Sequence, residues 1–168
     1  MALIPISEII SERLKLSKLS SLDAPFILEL LNTEEWIQFI GDRKIKNLED
    51  AQGYITMVSN FPDMHFWVVR INKTSESIGI ITLIKREYLE FYDLGFAFLP
   101  TFSKKGFAYE AAKSTLDEIK KDDLYSTIHA ITLPANLNSI RLLDKLGFAF
   151  DRNFIDDNEE LSLYCIKA

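Results

Sequence analysis

The sequence predicts an α/β fold of the α+β type, in which a mixed sheet has its central strand near residues 90–99. Helical patterns cluster early in the chain, and an antiparallel meander of strands begins at His65. The end of the chain alternates in the order β-α-β-α-β. Because the 168 residues contain no repeat or linker, we expect one domain over 1–168.

The first third of the chain predicts one strand and three helices. Residues 12–19 alternate polar residues with leucine, which predicts a half-buried strand. Asp23 is the expected N-cap of the first helix, and a second helix contains the segment WIQFI. The third helix, NLEDAQGYITMVSNF, is expected to be capped by Asn47, although Gly53 weakens it by about 1 kcal/mol relative to alanine.

A hairpin and the central strand follow. The segments HFWVVRI and IGIITLIKR are rich in β-branched and aromatic residues, and the turn-like segment NKTSES joins them. EFYDLGFAFL predicts the next strand, and Pro100 ends it because proline cannot donate to a ladder. Alternation places Tyr92, Leu94, Phe96 and Phe98 on one face of this strand and Phe91, Asp93, Gly95, Ala97 and Leu99 on the other.

The last third of the chain predicts two helices, each followed by strands. Residues 105–120 carry apolar side chains at the spacing of one buried helical face. A strand over 124–133 leads to a second helix over 136–146, which Asn136 caps and Gly147 ends. The segments FAFDRNFI and ELSLYCI are typical of closing strands.

Composition and charge exclude several classes of partner. The net charge of −6 argues against broad binding to nucleic acid, which requires many Lys and Arg side chains to neutralise phosphates. No run reaches the roughly 20 apolar residues of a membrane span, and MALIPISEII lacks the basic region of a signal peptide. The single cysteine, Cys165, is expected to be buried and suits a reducing compartment. We therefore expect a cytoplasmic monomer or homodimer.

The motifs of several enzyme classes are also missing. The only histidines, His65 and His129, share no motif with the cysteine or with paired carboxylates, so we expect no metal site. The hydrolase elbow, the P-loop and the dinucleotide fingerprint are absent from the sequence. What remains is TFSKKGFAYEA, a basic, glycine-containing turn that opens a helix. Such a turn can bind an anion, but it is also ordinary in α/β proteins.

Five segments together resemble the GCN5-related N-acetyltransferase (GNAT) superfamily, and more closely its branch of ribosomal-protein N-terminal acetyltransferases (RimJ/RimL type). They are ERLKLSKLSSLDA, FWVVRINKTSESIGIITL, YDLGFAFLP, KKGFAYEAA and NLNSIRLLDKLGF. The last is the most specific, because Asn, Ser, Lys and Gly-Phe recur there at the family's spacing. The resemblance implies a mainly antiparallel sheet with a splayed parallel strand pair and helices on both faces.

The resemblance also implies a binding site for acetyl-CoA, with no metal. The pantetheine arm would pair with the strand edge at Phe98 and Leu99, and Asn136 would position the arm or the helix start. The pyrophosphate would bind the amides at the start of the following helix, which belong to Lys104, Lys105, Gly106, Phe107 and Ala108. Lys104 stands where the family usually has glycine. Lysine is acceptable there if its φ is negative, and its charge would then lie beside a phosphate.

The catalytic roles implied by the resemblance fall on Asp93 and Ser139. Asp93 would accept the proton of the amine directly or through water, or would only orient a loop or the amine, and Gly95 and Ala97 would leave room for substrate. A backbone N–H near Phe98 would stabilise the oxyanion. Ser139 would donate to the CoA sulfur, because the tyrosine that many members use as an acid is replaced by Leu143.

The expected function is therefore transfer of acetyl from acetyl-CoA directly to a primary amine in a ternary complex. No covalent enzyme intermediate is needed, so Cys165 would be dispensable. The amine could be a protein N-terminus, an amino acid, a polyamine or a drug, and the acidic charge favours cationic acceptors. The alternatives are a GNAT-like module that binds CoA or a peptide without catalysis, and an unrelated α/β protein.

Overall fold

An eight-stranded sheet with the order β1-β2-β3-β4-β5-β6-β8-β7 forms the middle of the molecule. The computed structural model describes residues 6–122 and 125–167. Its strands are β1 Glu8–Ile10, β2 Leu14–Lys18, β3 Met64–Ile71, β4 Ser77–Ile84, β5 Asp93–Phe98, β6 Thr127–Thr132, β7 Ala149–Asp156 and β8 Glu159–Lys167. Its α-helices are α1 Ala24–Leu31, α2 Glu34–Phe39, α3 Leu48–Ser59, α4 Phe107–Ile119 and α5 Leu137–Leu146.

The directions of the strands confirm the predicted fold class. Within the described residues, β5 and β6 are parallel and the other neighbouring strands are antiparallel. β4 and β5 occupy the middle of the sheet, as expected for the strand near residues 90–99. No described helix has both the length and the apolar character needed to cross a bilayer.

Helices cover both faces of the sheet, and each face has its own core. On one face, Ala111 of α4 and Leu143 of α5 pack with Leu94 of β5. On the other, Ile27 of α1 and Ile55 of α3 pack over β3 and β4. We call these the α4–α5 face and the α1–α3 face. The alternation predicted for β5 is confirmed, because Leu94 belongs to the first core and Leu99 to the second.

Two predicted helix caps are confirmed by their hydrogen bonds. The Asn47 side chain accepts from the backbone N–H of Asp50 at 2.8 Å and starts α3. The Asn136 side chain accepts from the Ser139 N–H at 3.2 Å and starts α5. Both bonds are local, so the order of residues alone specifies them.

Asp23 occupies the predicted N-cap position of α1, but its side chain does not cap the helix. Its carboxylate makes no cap bond to that helix, and instead accepts from the backbone N–H of Ser20 at 2.9 Å and forms an ion pair with Arg70 of β3. Asp23 is 4% exposed. The ion pair takes precedence over the cap because an uncompensated buried charge destabilises the fold strongly, by more than the loss of one helix cap.

Some predicted boundaries also change. β1 pairs with β2 although no strand was predicted there. α4 begins at Phe107, two residues later than expected, because Gly106 has a left-handed backbone that a helix cannot contain. The predicted strand start at 124 lies outside the described residues, and β6 is described from Thr127.

Candidate active site

The parallel pair of strands opens at Asp93. The register of β5 and β6 contains one pair of Cα partners, Asp93 and His129, and the His129 N–H donates to the carbonyl of Tyr92 at 2.8 Å. The Ile131 N–H, two residues further along β6, donates to Oδ1 of Asp93 at 3.2 Å rather than to a backbone carbonyl. The Asp93 side chain therefore ends the ladder, and the predicted splay between the two strands begins here.

Beyond this point one edge of β5 is open. The Leu99 N–H donates to the carbonyl of Ile78 on the β4 side at 2.9 Å. Because backbone groups alternate in direction along a strand, those of Phe96 and Phe98 point toward the gap. Phe98 thus remains a candidate for pairing with a ligand. The expectation for Leu99 was wrong, because its N–H is already used and the residue is buried.

Gly95 does not leave the predicted space beside Asp93. A Cβ atom on Gly95 would lie 2.5 Å from the hydroxyl oxygen of Thr82 on β4, its partner across the ladder. The Thr82 side chain therefore occupies the volume that a side chain at position 95 would need. Glycine is required here to let Thr82 pack, and any room for substrate lies elsewhere.

The turn before α4 presents a row of unpaired amides. Among the described residues, the backbone N–H groups of residues 104–109 have no hydrogen-bond partner, and the first helical bond is from the Glu110 N–H to the carbonyl of Gly106 at 3.0 Å. Free amides at a helix start attract anions, and the helix dipole adds roughly half a positive charge. The predicted site thus has the geometry of an anion site.

The backbone of Lys104 differs from the expectation. Its φ is +60°, in the left-handed region, whereas a negative φ was expected for a lysine in place of glycine. Gly106, with φ of +80°, also adopts this region, where it has no steric cost. The turn keeps the backbone that glycine would give it, so Lys104 is accommodated with strain rather than by a change of conformation.

Arg13 joins this turn, although sequence reasoning did not select it. From the segment between β1 and β2, its Nη1 donates to the carbonyl of Lys105 at 3.0 Å, and its guanidinium lies 4.4 Å from the ring centroid of Phe107. Its Nε donates to Glu110 at 2.6 Å. A cation is thereby fixed beside the free amides. The sequence does contain both partners, Arg13 in the segment ERLKL and Glu110 four residues after Gly106. No rule based on neighbouring residues connects positions so far apart in the chain.

Glu110 anchors this arrangement. Its carboxylate accepts from the Ser11 hydroxyl at 2.6 Å and from the Arg13 N–H at 2.7 Å. Burial by itself raises the pKa of Glu110, but the hydrogen bonds from Ser11 and Arg13 and the charge of Arg13 outweigh it, so the pKa is lowered. Glu110 therefore stays ionised and holds Arg13 in place.

The start of α5 lies at the same edge of the sheet as the turn before α4. Both helices follow the carboxyl ends of the two parallel strands, and α4 and α5 pack together, with Lys145 lying 4.3 Å from the ring centroid of Tyr109. Ser139 is half-buried in the first turn of α5, and its hydroxyl has no hydrogen-bond partner among the described residues. Leu143 is 1% exposed and belongs to the core, so this position turns away from solvent.

Asp93 is buried, and each of its carboxylate oxygens accepts a hydrogen bond. Arg86 Nε donates to Oδ2 at 2.7 Å, and Oδ1 accepts from Ile131. Burial raises the pKa of Asp93, and Arg86, Ile131 and His129 oppose the rise without cancelling it. Because each oxygen already accepts a hydrogen bond, this geometry suits a residue that positions its neighbours.

A pocket lies beside the segment that carries Arg86. Its volume is about 140 Å³, and it lies between the β4–β5 connection and the edge strand β7, where it is lined by Tyr88, Leu89, Arg152, Phe154, Ile155 and Asp156. The rings of Tyr88 and Phe154 are 5.8 Å apart. Burial raises the pKa of Tyr88, and the carboxylate of Asp156 raises it further while Arg86 opposes the rise. The part of the chain that the structure describes contains no cluster of ligands for a metal ion.

The open parallel pair and the amide-rich turn are the two features that the GNAT resemblance implied, and comparison with known proteins identifies the family. The sequence profile described as an acetyltransferase (GNAT) domain matches residues 13–149. The chain belongs to the GNAT acetyltransferase family.

Individual relatives are distant. The uncharacterized protein YkkB of Bacillus subtilis is 22% identical over 134 residues, which are 79% of this chain and 69% of that protein. The crystal structure of a GNAT-family acetyltransferase from Bacillus anthracis is similar to this fold, with a TM-score of 0.81 at 24% identity over 95% of this chain and 98% of that chain. A chimera of the Vibrio cholerae spermidine N-acetyltransferase SpeG with hSSAT has a TM-score of 0.77 at 17% identity over 93% and 96% of the two chains.

Proposed function

We propose that the protein transfers acetyl from acetyl-CoA directly to a primary amine in a ternary complex, without a covalent enzyme intermediate. One observation carries the proposal: an open strand edge leads from the splay at Asp93 to a turn with unpaired amides and a fixed arginine. A thioester joined to a pyrophosphate by a long amide-containing arm matches both features. The single domain over 1–168 and the cytoplasmic location remain parts of this proposal.

The proposed contacts with acetyl-CoA follow from the chemistry of each group. Amides of the arm would pair with the backbone of Phe98, as an added strand does. The pyrophosphate would accept from the amides of residues 104–108, where Arg13 and the exposed side chains of Lys104 and Lys105 supply positive charge. Asn136 would hold the start of α5 beside the arm.

The reaction itself requires two proton transfers. An ammonium must lose a proton before its nitrogen can attack the thioester carbonyl, and the departing CoA thiolate must gain one as the C–S bond breaks. A backbone N–H that faces the gap, on the open edge that extends to Phe98, would stabilise the oxyanion, a type of interaction that contributes about 10²- to 10³-fold. Ser139, whose hydroxyl is free of described partners, would donate to the sulfur. Asp93 would orient the acceptor side of the gap.

The alternative is a GNAT-like module that binds CoA or a peptide without catalysis. It is favoured by Leu143, which occupies the position of the family's tyrosine and is buried in the core. Assignment to the RimJ/RimL-type branch also remains a proposal, supported by the segments ERLKLSKLSSLDA and NLNSIRLLDKLGF.

Binding and turnover are tested separately. Acetyl-CoA at 100 times its dissociation constant should add about 2.7 kcal/mol of stability, measured as a thermal shift. Release of CoA is then followed with a peptide bearing a free N-terminus, an amino acid and spermidine, for the wild type and for Asp93→Asn and Ser139→Ala. A thermal shift without turnover favours the binding module, whereas the absence of any shift contradicts both functions.

A further inference from the structure

Three polar side chains lie in one row across the middle of the sheet. Asp93 of β5 is the register partner of His129 of β6, and His129 is the partner of Cys165 of β8. Side chains of direct partners lie on the same face of a sheet, close together. Ile128 and Ala130, the neighbours of His129 along β6, belong to the core of the α4–α5 face. Because side chains alternate along a strand, the row lies on the α1–α3 face of the sheet. The sequence showed no motif that joins these residues, because the sheet brings them together from distant positions.

His129 has a buried ring nitrogen without a partner. The residue is 9% exposed, and its ring meets the Phe91 ring edge to face at 5.3 Å. Nδ1 is inaccessible and forms no hydrogen bond with any described residue. Native structures pair nearly all buried polar atoms, so an unpaired one calls for an explanation. A hydrogen-bond donor that arrives with the substrate would satisfy it.

The charged groups around His129 leave it neutral. Burial lowers its pKa, and so does Arg152 of β7, while Asp93 of β5, Asp151 of β7 and Glu90 of the β4–β5 connection raise it; the net direction is down. The thiol of Cys165 lies on the remaining side. At neutral pH the ring therefore has one nitrogen with a free lone pair, as a general base requires.

Asp93 is less available than His129, because each of its oxygens already accepts a hydrogen bond, Oδ2 from Arg86 and Oδ1 from Ile131. We propose that His129 accepts the proton of the acceptor ammonium, directly or through one water, while Asp93 and Arg86 act as positioning residues. The inference rests on the proposed function and assigns the base for that reaction. Catalytic hydrogen bonds often reach their full geometry only when substrate binds, so the burial of Nδ1 in the free protein is compatible with this role.

The ammonium gives one proton to Nδ1, and the free amine attacks the thioester carbonyl to form a tetrahedral adduct. The C–S bond then breaks, and the CoA thiolate takes the second proton from the former amine nitrogen. The products are the amide and the CoA thiol. His129 then returns its proton to water.

The kinetic test compares the two histidines of the chain. His129→Gln should lower kcat by about 10²- to 10⁴-fold, and it should leave the acetyl-CoA dissociation constant within about twofold if the role is catalytic. It should also remove the acid limb of the pH profile, which in the wild type lies below the ordinary histidine pKa. His65→Gln is the matched control: His65 also has a buried, unpartnered nitrogen and a pKa lowered by burial, but it stacks on Trp67 at the α4–α5 face.

A second measurement needs no acceptor and is made on the wild type, with one variant used only for assignment. Nitrogen-15 NMR of the imidazole rings resolves both histidines, and His129→Gln assigns the signals. The expected result at pH 7 is a neutral His129 with its proton on Nε2 and none on Nδ1. A proton on Nδ1, or an imidazolium at this pH, would overturn the inference.

The outcomes separate the two proposals. If the wild type turns over an acceptor and His129→Gln is equally fast, the inference fails while the proposed function stands. If the wild type turns over no acceptor, the proposed function fails and the NMR result alone decides whether His129 is a free acceptor. The variant Cys165→Ala should retain activity. If this variant is inactive and the wild type carries an acetyl group on Cys165, His129 would be the base for the Cys165 thiol, and the inference would be refuted.

Discussion

Lys104→Gly tests the anion turn most directly, because it changes the strain and the charge of one residue together. A non-glycine residue in the left-handed region costs about 1–2 kcal/mol, and the substitution removes this cost. Glycine also gives the unfolded chain more conformational entropy, which lowers the stability of the variant by about 0.4–1 kcal/mol. The expected gain is about 0.5–1 kcal/mol, or roughly 1–4 °C in Tm for a chain of this size. Loss of the exposed cation should weaken binding of acetyl-CoA by at most about 1 kcal/mol, which is roughly fivefold.

Salt dependence separates the two effects of this substitution. The Debye length falls from about 10 Å at 0.1 M salt to about 3 Å at 1 M. The affinities of the wild type and of Lys104→Gly for acetyl-CoA should therefore converge as salt increases, and the variant should have the smaller slope. Isothermal titration calorimetry at several salt concentrations measures both quantities.

Lys44→Gly is the matched control for this experiment. Lys44 is exposed and also has a left-handed backbone, with φ of +58°, but it lies between α2 and α3 and pairs with Asp42. It should gain stability, less the small contribution of its surface ion pair, without any change in the salt slope. If Lys104→Gly leaves the affinity and the slope unchanged, Lys104 is only a solvated surface charge and its proposed role is wrong.

Three further predictions concern the site and its support. Arg13→Ala should weaken acetyl-CoA binding in calorimetry by about 1–3 kcal/mol, because it removes a charge-assisted donor and leaves Glu110 without its partner; unchanged affinity would place the pyrophosphate elsewhere. Arg86→Ala should lower the free energy of unfolding in urea by about 1–3 kcal/mol, since Asp93 stays buried without its cation, and a neutral result would contradict the ion pair. Unfolding stability should fall below pH 6.5, because both histidines have lowered pKa values and the unfolded chain binds their protons first. A variant with Gln at both histidines should show a flatter profile than the wild type, and identical profiles would contradict the lowered values.

Local rules predicted the elements of this fold well. The caps at Asn47 and Asn136 and the helix end at Gly147 depend on neighbours within a few residues, and the structure contains all three. The hairpin of β3 and β4 was equally readable, because both strands and the turn are continuous in sequence. The alternation of β5 correctly divided its side chains between the two cores.

The contacts that build the site were not predictable in this way. Arg13 reaches Glu110 across 97 positions of the chain, and Asp23 is recruited by Arg70 across 47. The row that contains His129 exists only because the sheet order places β8 beside β6. At Asp23 the ion pair with Arg70 replaces the side-chain cap that the local sequence predicts. At Lys104 the turn imposes a left-handed backbone, although lysine by itself prefers a negative φ.

The end of the β5–β6 ladder at Asp93 also defines the length of the open edge of β5. From Asp93 to Phe98 the unpaired edge extends over five steps, or roughly 16 Å at 3.3 Å per residue. A ladder that ended two positions later would shorten the gap by roughly 7 Å. The length over which a ligand could lie along this edge, and hence the depth at which its reactive end would stop, therefore depends on where the ladder ends.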